Sequence, residues 1–152
     1  MNKDIKDYLH LYLGCDTLPT YATETRRLIS VNVDNGNSLL EDKQFNSCTY
    51  AINEFKLLLR PLSDMSEEEL KEVKHIMLEY QNLRFKCDEK DRIKYTNVFI
   101  YDIIDEDGYH HSTMISSPEN LPAKVVPWMC RHGFDIFDLC RAGLAIDKTK
   151  MK

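Results

Sequence analysis

A chain of 152 residues with 43% hydrophobic and 30% charged side chains has an ordinary globular balance and is long enough to bury a core without staples. Its 20 Lys and Arg stand against 25 Asp and Glu, a formal net charge of −5 that argues against general binding to a phosphate backbone. No apolar run approaches the roughly 20 residues of a membrane span, and "MNKDIKDYLHLYLG" lacks the unbroken apolar stretch of a signal peptide.

Residues 3 to 13 predict an amphipathic helix. Ile5, Tyr8, Leu9, Tyr12 and Leu13 repeat at helical spacing, and Gly14 can close the helix in the left-handed conformation. Residues 15 to 24 are polar, contain Pro19 and predict a loop. The period then changes. Ile29, Val31 and Val33 alternate with Leu28, Ser30 and Asn32, the two-residue repeat of a strand. Asn35-Gly36 suits a tight turn, with a return strand starting near Ser38 and a further strand around Cys48 to Ile52.

"RPLSDMSEEELKEV" carries a capping box. Ser66 and Glu69 are spaced to satisfy each other's backbone amides, and Met65 and Leu70 are spaced as a hydrophobic staple. Glu67, Glu68 and Glu69 lie at the positive end of the helix dipole. Leu70, Val73, Met77, Tyr80 and Leu83 mark a buried face, so the spacing predicts a long helix from Ser66 to about Phe85. "CDEKDR" is a charged linker. "IKYTNVFIYDII" and "YHHSTMIS" predict a second hairpin turning at Gly108.

In the last segment Ser117 and Asn120 suit a helix cap, and Pro118 and Pro122 suit a first turn. Pro127 delays or kinks that helix, and Gly133 breaks it. A second short helix is expected from about Phe134 to Ala142, ending at Gly143, before a strand or extended tail in "LAIDKTKMK". The fold class expected is α+β in a single domain, 1–152. A small, mostly antiparallel sheet from two hairpins packs against the long central helix and the terminal helices.

Five cysteines, Cys15, Cys48, Cys87, Cys130 and Cys140, form no C-x-x-C pair. An odd number of unpaired spacings fits free thiols in a reducing cytoplasm. Cys130, His132 and Cys140 invite a zinc reading. However, Cys130 and His132 are two apart and diverge on a helix, and a fourth ligand is missing. The favoured expectation is a packed helix, with Phe134, Phe137 and Cys140 inward and Asp135, Asp138 and Arg141 outward.

His110 and His111 would point to opposite faces of a strand. Asp102, Asp105, Glu106 and Asp107 surround a turn without the ligand spacing of a calcium loop, so a solvated hairpin tip is expected. Arg26, Arg27 and Arg60 are candidate anion contacts. Cys87, flanked by Lys86 and Asp88, is a candidate thiol with no base placed beside it. Tyr101, Tyr109 and Trp128 are candidate partner anchors or core aromatics. With five glycines in all, the chain shows no phosphate-cradling glycine loop and no dinucleotide fingerprint.

"LLLRPLSDMSEEE" (57 to 69) and "LPAKVVPWMCRHGFDIFDLCRAGLAID" (121 to 147) resemble a family of small uncharacterised proteins carried by phages and prophages of gut anaerobic bacteria. Its members carry a Leu-Arg-Pro-Leu-Ser-Asp-Met-Thr-Glu-Glu block, then Leu-Pro, an apolar helix, Phe-Asp-x-Phe and Gly-Leu-Ala-Ile-Asp. They usually place a histidine directly before Phe-Asp; here Gly133 stands there and His132 comes one residue earlier. The resemblance implies a phage or mobile-element setting and transfers no functional residue. The expected function is therefore a non-enzymatic accessory protein that binds a host or phage protein, with no cofactor, metal, membrane or nucleic-acid partner. The alternative is a small metal-dependent hydrolase or nucleic-acid-modifying enzyme that uses Asp102, Asp105 and Asp107.

Overall fold

The computed structural model describes residues 2–76, 82–86, 98–104, 110–115, 121 and 123–151. The chain divides into two compact units, Met1–Arg60 with Cys130–Lys152, and Pro61–Met129.

The first unit is built on a mixed six-stranded sheet. Its strands are β1 (Asp16–Pro19), β2 (Arg26–Asn32), β3 (Asn37–Glu41), β4 (Ser47–Ala51), β5 (Phe55–Leu59) and β9 (Ala145–Asp147), in the order β4-β3-β2-β1-β5-β9. All pairings are antiparallel except β5 with β9, where Leu57 faces Ala145 and Leu59 faces Asp147. This sheet is larger than two hairpins predict.

Two strands of this sheet, β1 and β5, are not expected from the sequence. The segment expected as a loop contains β1, whose Thr17 is fully buried and donates its hydroxyl to the Arg26 carbonyl at 2.8 Å. That bond lets a polar residue occupy a central strand. β5 holds Leu57, Leu58 and Leu59, all buried, as a strand flanked on both sides reads.

The β2–β3 hairpin forms as expected, with Asn32 opposite Asn37. Asn32 Oδ1 accepts the amides of Asp34 and Asn35, and Gly36 takes φ +71°, so the connection is four residues long rather than two. The register slips between Leu28 and Ser30; Leu28 is fully buried, whereas Val33, expected on the strand, falls in the connection and is 49% exposed.

The predicted helix over 3 to 13 is instead two short 3-10 turns, Ile5–Asp7 and Leu9–Tyr12. Asp4 caps the first through the Lys6 amide. Leu9 and Tyr12 lie one 3-10 repeat apart and are both fully buried, whereas Leu13 is 42% exposed. Gly14 takes φ +89°, as a closing glycine should, and turns the chain into β1.

In the second unit the capping box is present. Ser66 N donates to Glu69 Oε2 at 2.9 Å and Glu69 N to Ser66 Oγ at 3.2 Å. The helix it starts, α1 (Glu67–Ile76), buries Val73 but is ten residues long, not twenty. Asn82–Lys86 is strand β6, so Leu83 and Phe85, expected on the helix, lie in a ladder opposite Tyr101 and Phe99. The alternation in "NLRFK" suits a strand as well as a helical stripe, and pairing with a β-rich neighbour decides it. β7 (Val98–Ile104) and β8 (His110–Ile115) form the expected antiparallel hairpin, giving a three-stranded sheet β6-β7-β8. Its turn, with Gly108, and the linker "CDEKDR" lie outside the described residues.

Helix α2 (Val125–Arg131) carries Pro127 at its third position, within the first turn, where no intrahelical donor is lost. The proposed caps Ser117 and Asn120 and the prolines Pro118 and Pro122 lie outside the described residues. Gly133 breaks the helix with φ +75°. The second helix expected over 134 to 142 is absent and the segment is a chain of turns. Asp135 explains this. It is 7% exposed rather than outward-facing, and its carboxylate accepts the amides of Leu139 (2.7 Å) and Cys140 (2.9 Å). A side chain that satisfies local amides competes with the helix ladder. Asp138 completes the departure with φ +60°. Gly143, at φ +76°, then leads into β9.

Candidate functional site

Two features of the first unit present chemistry outward. The first is the tip of the β3–β4 hairpin, "DKQFN". The Asp42 carboxylate accepts the amides of Gln44 and Asn46, each at 2.9 Å, and the Asn46 side-chain amide at 3.4 Å. The Asn46 amide, with that of Gln44 and the Asn46 side chain, holds the Asp42 carboxyl below the usual carboxylate range. Around this bonded centre Phe45 takes φ +64° and is 77% exposed. Left-handed backbone costs an L-residue about 1–2 kcal/mol, and an exposed phenyl ring gains little from water. Directly after the tip, β4 ends the sheet among the described residues, and its residues Ser47, Cys48, Thr49, Tyr50 and Ala51 carry no charge and no proline. Such an edge lacks the usual protection against pairing with another strand.

The second feature is a cleft of about 150 Å³ lined by Gly14, Cys15, Asp16, Leu58, Arg60, Arg131, His132, Gly133 and Lys148. Four parts of the chain meet there. Arg60 pairs with Phe134 in an isolated parallel bridge: its amide donates to the Gly133 carbonyl and its carbonyl accepts from Asp135, both at 2.9 Å. The Arg60 guanidinium lies 4.3 Å over the ring of fully buried Phe134. Lys148 follows β9, directly after Asp147 opposite Leu59, and its ammonium pairs with Asp16 at 2.8 Å. The Cys15 thiol donates to the Cys130 carbonyl at 3.1 Å. Burial pushes the Cys15 thiol up to about 11, so it stays protonated near neutral pH and is no ready nucleophile.

The structure separates the zinc candidates. Cys130 is fully buried and burial pushes its thiol up to about 12, while half-buried Cys140 has its thiol raised by burial and by the Asp135 charge. His132 lines the cleft with neither cysteine beside it in that lining. Among the described residues no group of three or more His, Cys, Asp or Glu side chains converges as a metal site. Asp102 lies on β7 opposite Ser112, while Asp105, Glu106 and Asp107 fall outside the described residues, as do Cys87 and Tyr109. His110 and His111 are adjacent on β8. Tyr101 sits on β7, and Trp128 is 5% exposed, a core residue rather than an anchor.

Arg27 faces water and pairs with Glu41 at 3.2 Å, whereas Arg26 turns inward, 5.7 Å over the Tyr50 ring. Only Arg60 of the three arginines reaches the cleft. Sequence reasoning missed Phe45 and Lys148. An Asp and an Asn four apart around an aromatic, in "DKQFN", was the available signal for the first. Lys148 becomes visible only once β9 is known to pair with β5.

No family model matches the chain, and no curated protein or solved structure matches it either. What fold and site define is an α+β protein with a mixed six-stranded sheet. Among the described residues no helix is long and apolar enough to cross a membrane.

Proposed function

We propose that the protein is a non-enzymatic binding module whose partner is another protein, engaged through the β3–β4 hairpin. The observation that carries this reading is Phe45, held outward at 77% exposure in a left-handed conformation by the Asp42 hydrogen bonds. Backbone strain combined with an exposed aromatic is typical of a residue kept for recognition. A preorganised tip also loses little entropy on binding. The uncharged edge of β4 supports the same reading, since it can add a partner's strand. The net charge of −5 favours a protein surface over a nucleic acid. The resemblance to phage and prophage proteins supports a host or phage protein as the partner. The free thiols of Cys15, Cys48, Cys130 and Cys140 support a cytoplasmic setting.

The test is quantitative capture from host lysate with the wild type and with Phe45→Ser. A partner enriched by the wild type and lost with the variant, at unchanged fold, is the expected result. An identical set of captured proteins from both would refute the hairpin as the binding surface.

A further inference from the structure

We propose that the β1–β2 connection, the β2–β3 connection and the 3-10 turn Ile52–Glu54 form one surface that docks a basic segment of a partner protein, an arginine of which stacks on the Tyr21 ring. This goes beyond the hairpin reading and rests on other residues. Hydrogen bonds join the three parts. Thr20 donates its amide (2.8 Å) and its hydroxyl (3.0 Å) to the Glu54 carbonyl, and Ile52 donates its amide to the Gly36 carbonyl at 2.9 Å. The 3-10 turn therefore ties the two connections together.

Tyr21 is the anchor. It is 97% exposed, more than any other large apolar side chain among the described residues. Its backbone is nonetheless fixed. The Ala22 amide closes a turn on the Pro19 carbonyl at 3.2 Å, and Thr20 is clamped to Glu54. An aromatic ring on a rigid turn offers contact area at low entropy cost. Val33, in the β2–β3 connection, adds exposed apolar area.

Charge selects the occupant. Residues 20–25, 33–36 and 52–54 contain Glu24, Asp34 and Glu54, all exposed, and no Lys or Arg. Glu54 is preset, because its Oε2 accepts the Ala51 amide at 2.9 Å. The cations flanking these segments in sequence are Arg26, turned inward over the Tyr50 ring, Arg27, paired with Glu41, and Lys56 on β5, so Lys56 offsets the three carboxylates only in part. The face of a tyrosine ring attracts a cation, and a guanidinium stacks on it while its N–H groups reach carboxylates. Ring and carboxylates thus suit the same side chain, arginine.

Fluorescence anisotropy of a labelled peptide of alternating arginine and glycine, titrated with the full chain, tests this at about 150 mM salt, where diffuse attraction is screened. Saturable sub-millimolar binding is expected, weakened about fivefold or more by Tyr21→Ala and by Glu24→Gln combined with Glu54→Gln. Glutamine keeps an oxygen for the Ala51 amide, so the 3-10 turn survives that exchange. Asp7→Asn removes a carboxylate from the N-terminal turn, outside this surface, and should leave binding unchanged. The same peptide with glutamate in place of arginine should not bind. No saturable signal up to ~1 mM protein overturns the proposal. So does undiminished binding in Tyr21→Ala or in the double variant, an equal loss in Asp7→Asn, or equal binding of the glutamate peptide.

Discussion

The hydroxyl of Tyr12 donates to the backbone carbonyl of Phe134 at 3.0 Å, joining residues 122 apart in sequence through a fully buried bond. The Phe137 ring lies edge-on to Tyr12 at 6.4 Å, so the N-terminal turns and the C-terminal segment share one packed contact. Tyr12→Phe keeps the ring and removes the donor. The Phe134 carbonyl still accepts the Ile136 amide at 3.0 Å, so it is not orphaned. The loss should be about 0.5–1.5 kcal/mol, read as a lower urea midpoint at unchanged slope. An unchanged midpoint would show that the bond contributes nothing net.

Asp135→Asn should be worse. The amide side chain can accept only one of the two backbone amides now held by the carboxylate, leaving a buried donor facing a donor. The expected cost is about 1–3 kcal/mol. Burial raises the Asp135 carboxyl above its ordinary value of 3.8, against the lowering effect of the Cys140 and Leu139 amides, and the nearby Asp138 charge also raises it. As pH rises above 3.8, the unfolded chain releases this proton while the folded chain retains it. Stability from this group is therefore greatest at low pH and falls until the folded carboxyl also ionises. The advantage of the wild type over Asp135→Asn should shrink across that window, measured as unfolding free energy against pH for both proteins. A constant difference would contradict the raised carboxyl.

Phe45→Gly is expected to stabilise the protein. Glycine takes the φ +64° held by Phe45 without a Cβ penalty, and the exposed ring contributes little packing. The gain should reach up to about 1 kcal/mol after the larger backbone entropy of glycine in the unfolded chain is subtracted. A higher melting temperature in this variant would mark Phe45 as retained against stability. A lower one would show that the ring packs usefully where it stands.

Thiol labelling should follow exposure and acidity. Cys48 is exposed on β4, whereas Cys15 and Cys130 are buried, with thiols pushed up to about 11 and about 12. Site-resolved mass spectrometry after a short alkylation should find Cys48 modified and those two protected until denaturant is added. Fast modification of Cys130 in the folded protein would be incompatible with its burial.

Elements with a local cause were legible in the sequence. The Ser66–Glu69 box, the β2–β3 hairpin that bends at Gly36 and the β-branched run before Ile104 each act over a few residues, and each appears near its expected place, the hairpin with a longer connection than a tight turn. Elements with a distant cause were not. Thr17 enters a strand because Arg26 offers a carbonyl, and Leu57 because Thr17 and Ala145 flank it. The Phe134, Phe137 and Cys140 stripe had helical spacing, but Asp135 bonds its own downstream amides and ends the competition in favour of turns. Of the cleft, the sequence offers Arg60 as an anion contact and His132 as a ligand candidate, while Gly14, Cys15 and Gly133 stand out for other reasons. Their neighbours Asp16 and Lys148 are 132 residues apart and come together only through the sheet.

The parallel ladder between β5 and β9 has a consequence for the order in which the protein can be made. A ribosome delivers Leu57 long before its partner Ala145, so the outer edge of β5 stays open while the chain between them is synthesised. The second unit, whose strands pair within residues 82 to 115, needs no such wait. The sheet of the first unit therefore closes only once Ala145–Asp147 has been made, and its long-range pairing should set the slow step of refolding. A nascent chain stalled before Ala145 would present the apolar strand Phe55–Leu59 with one side unpaired, a template for other chains until β9 pairs with it.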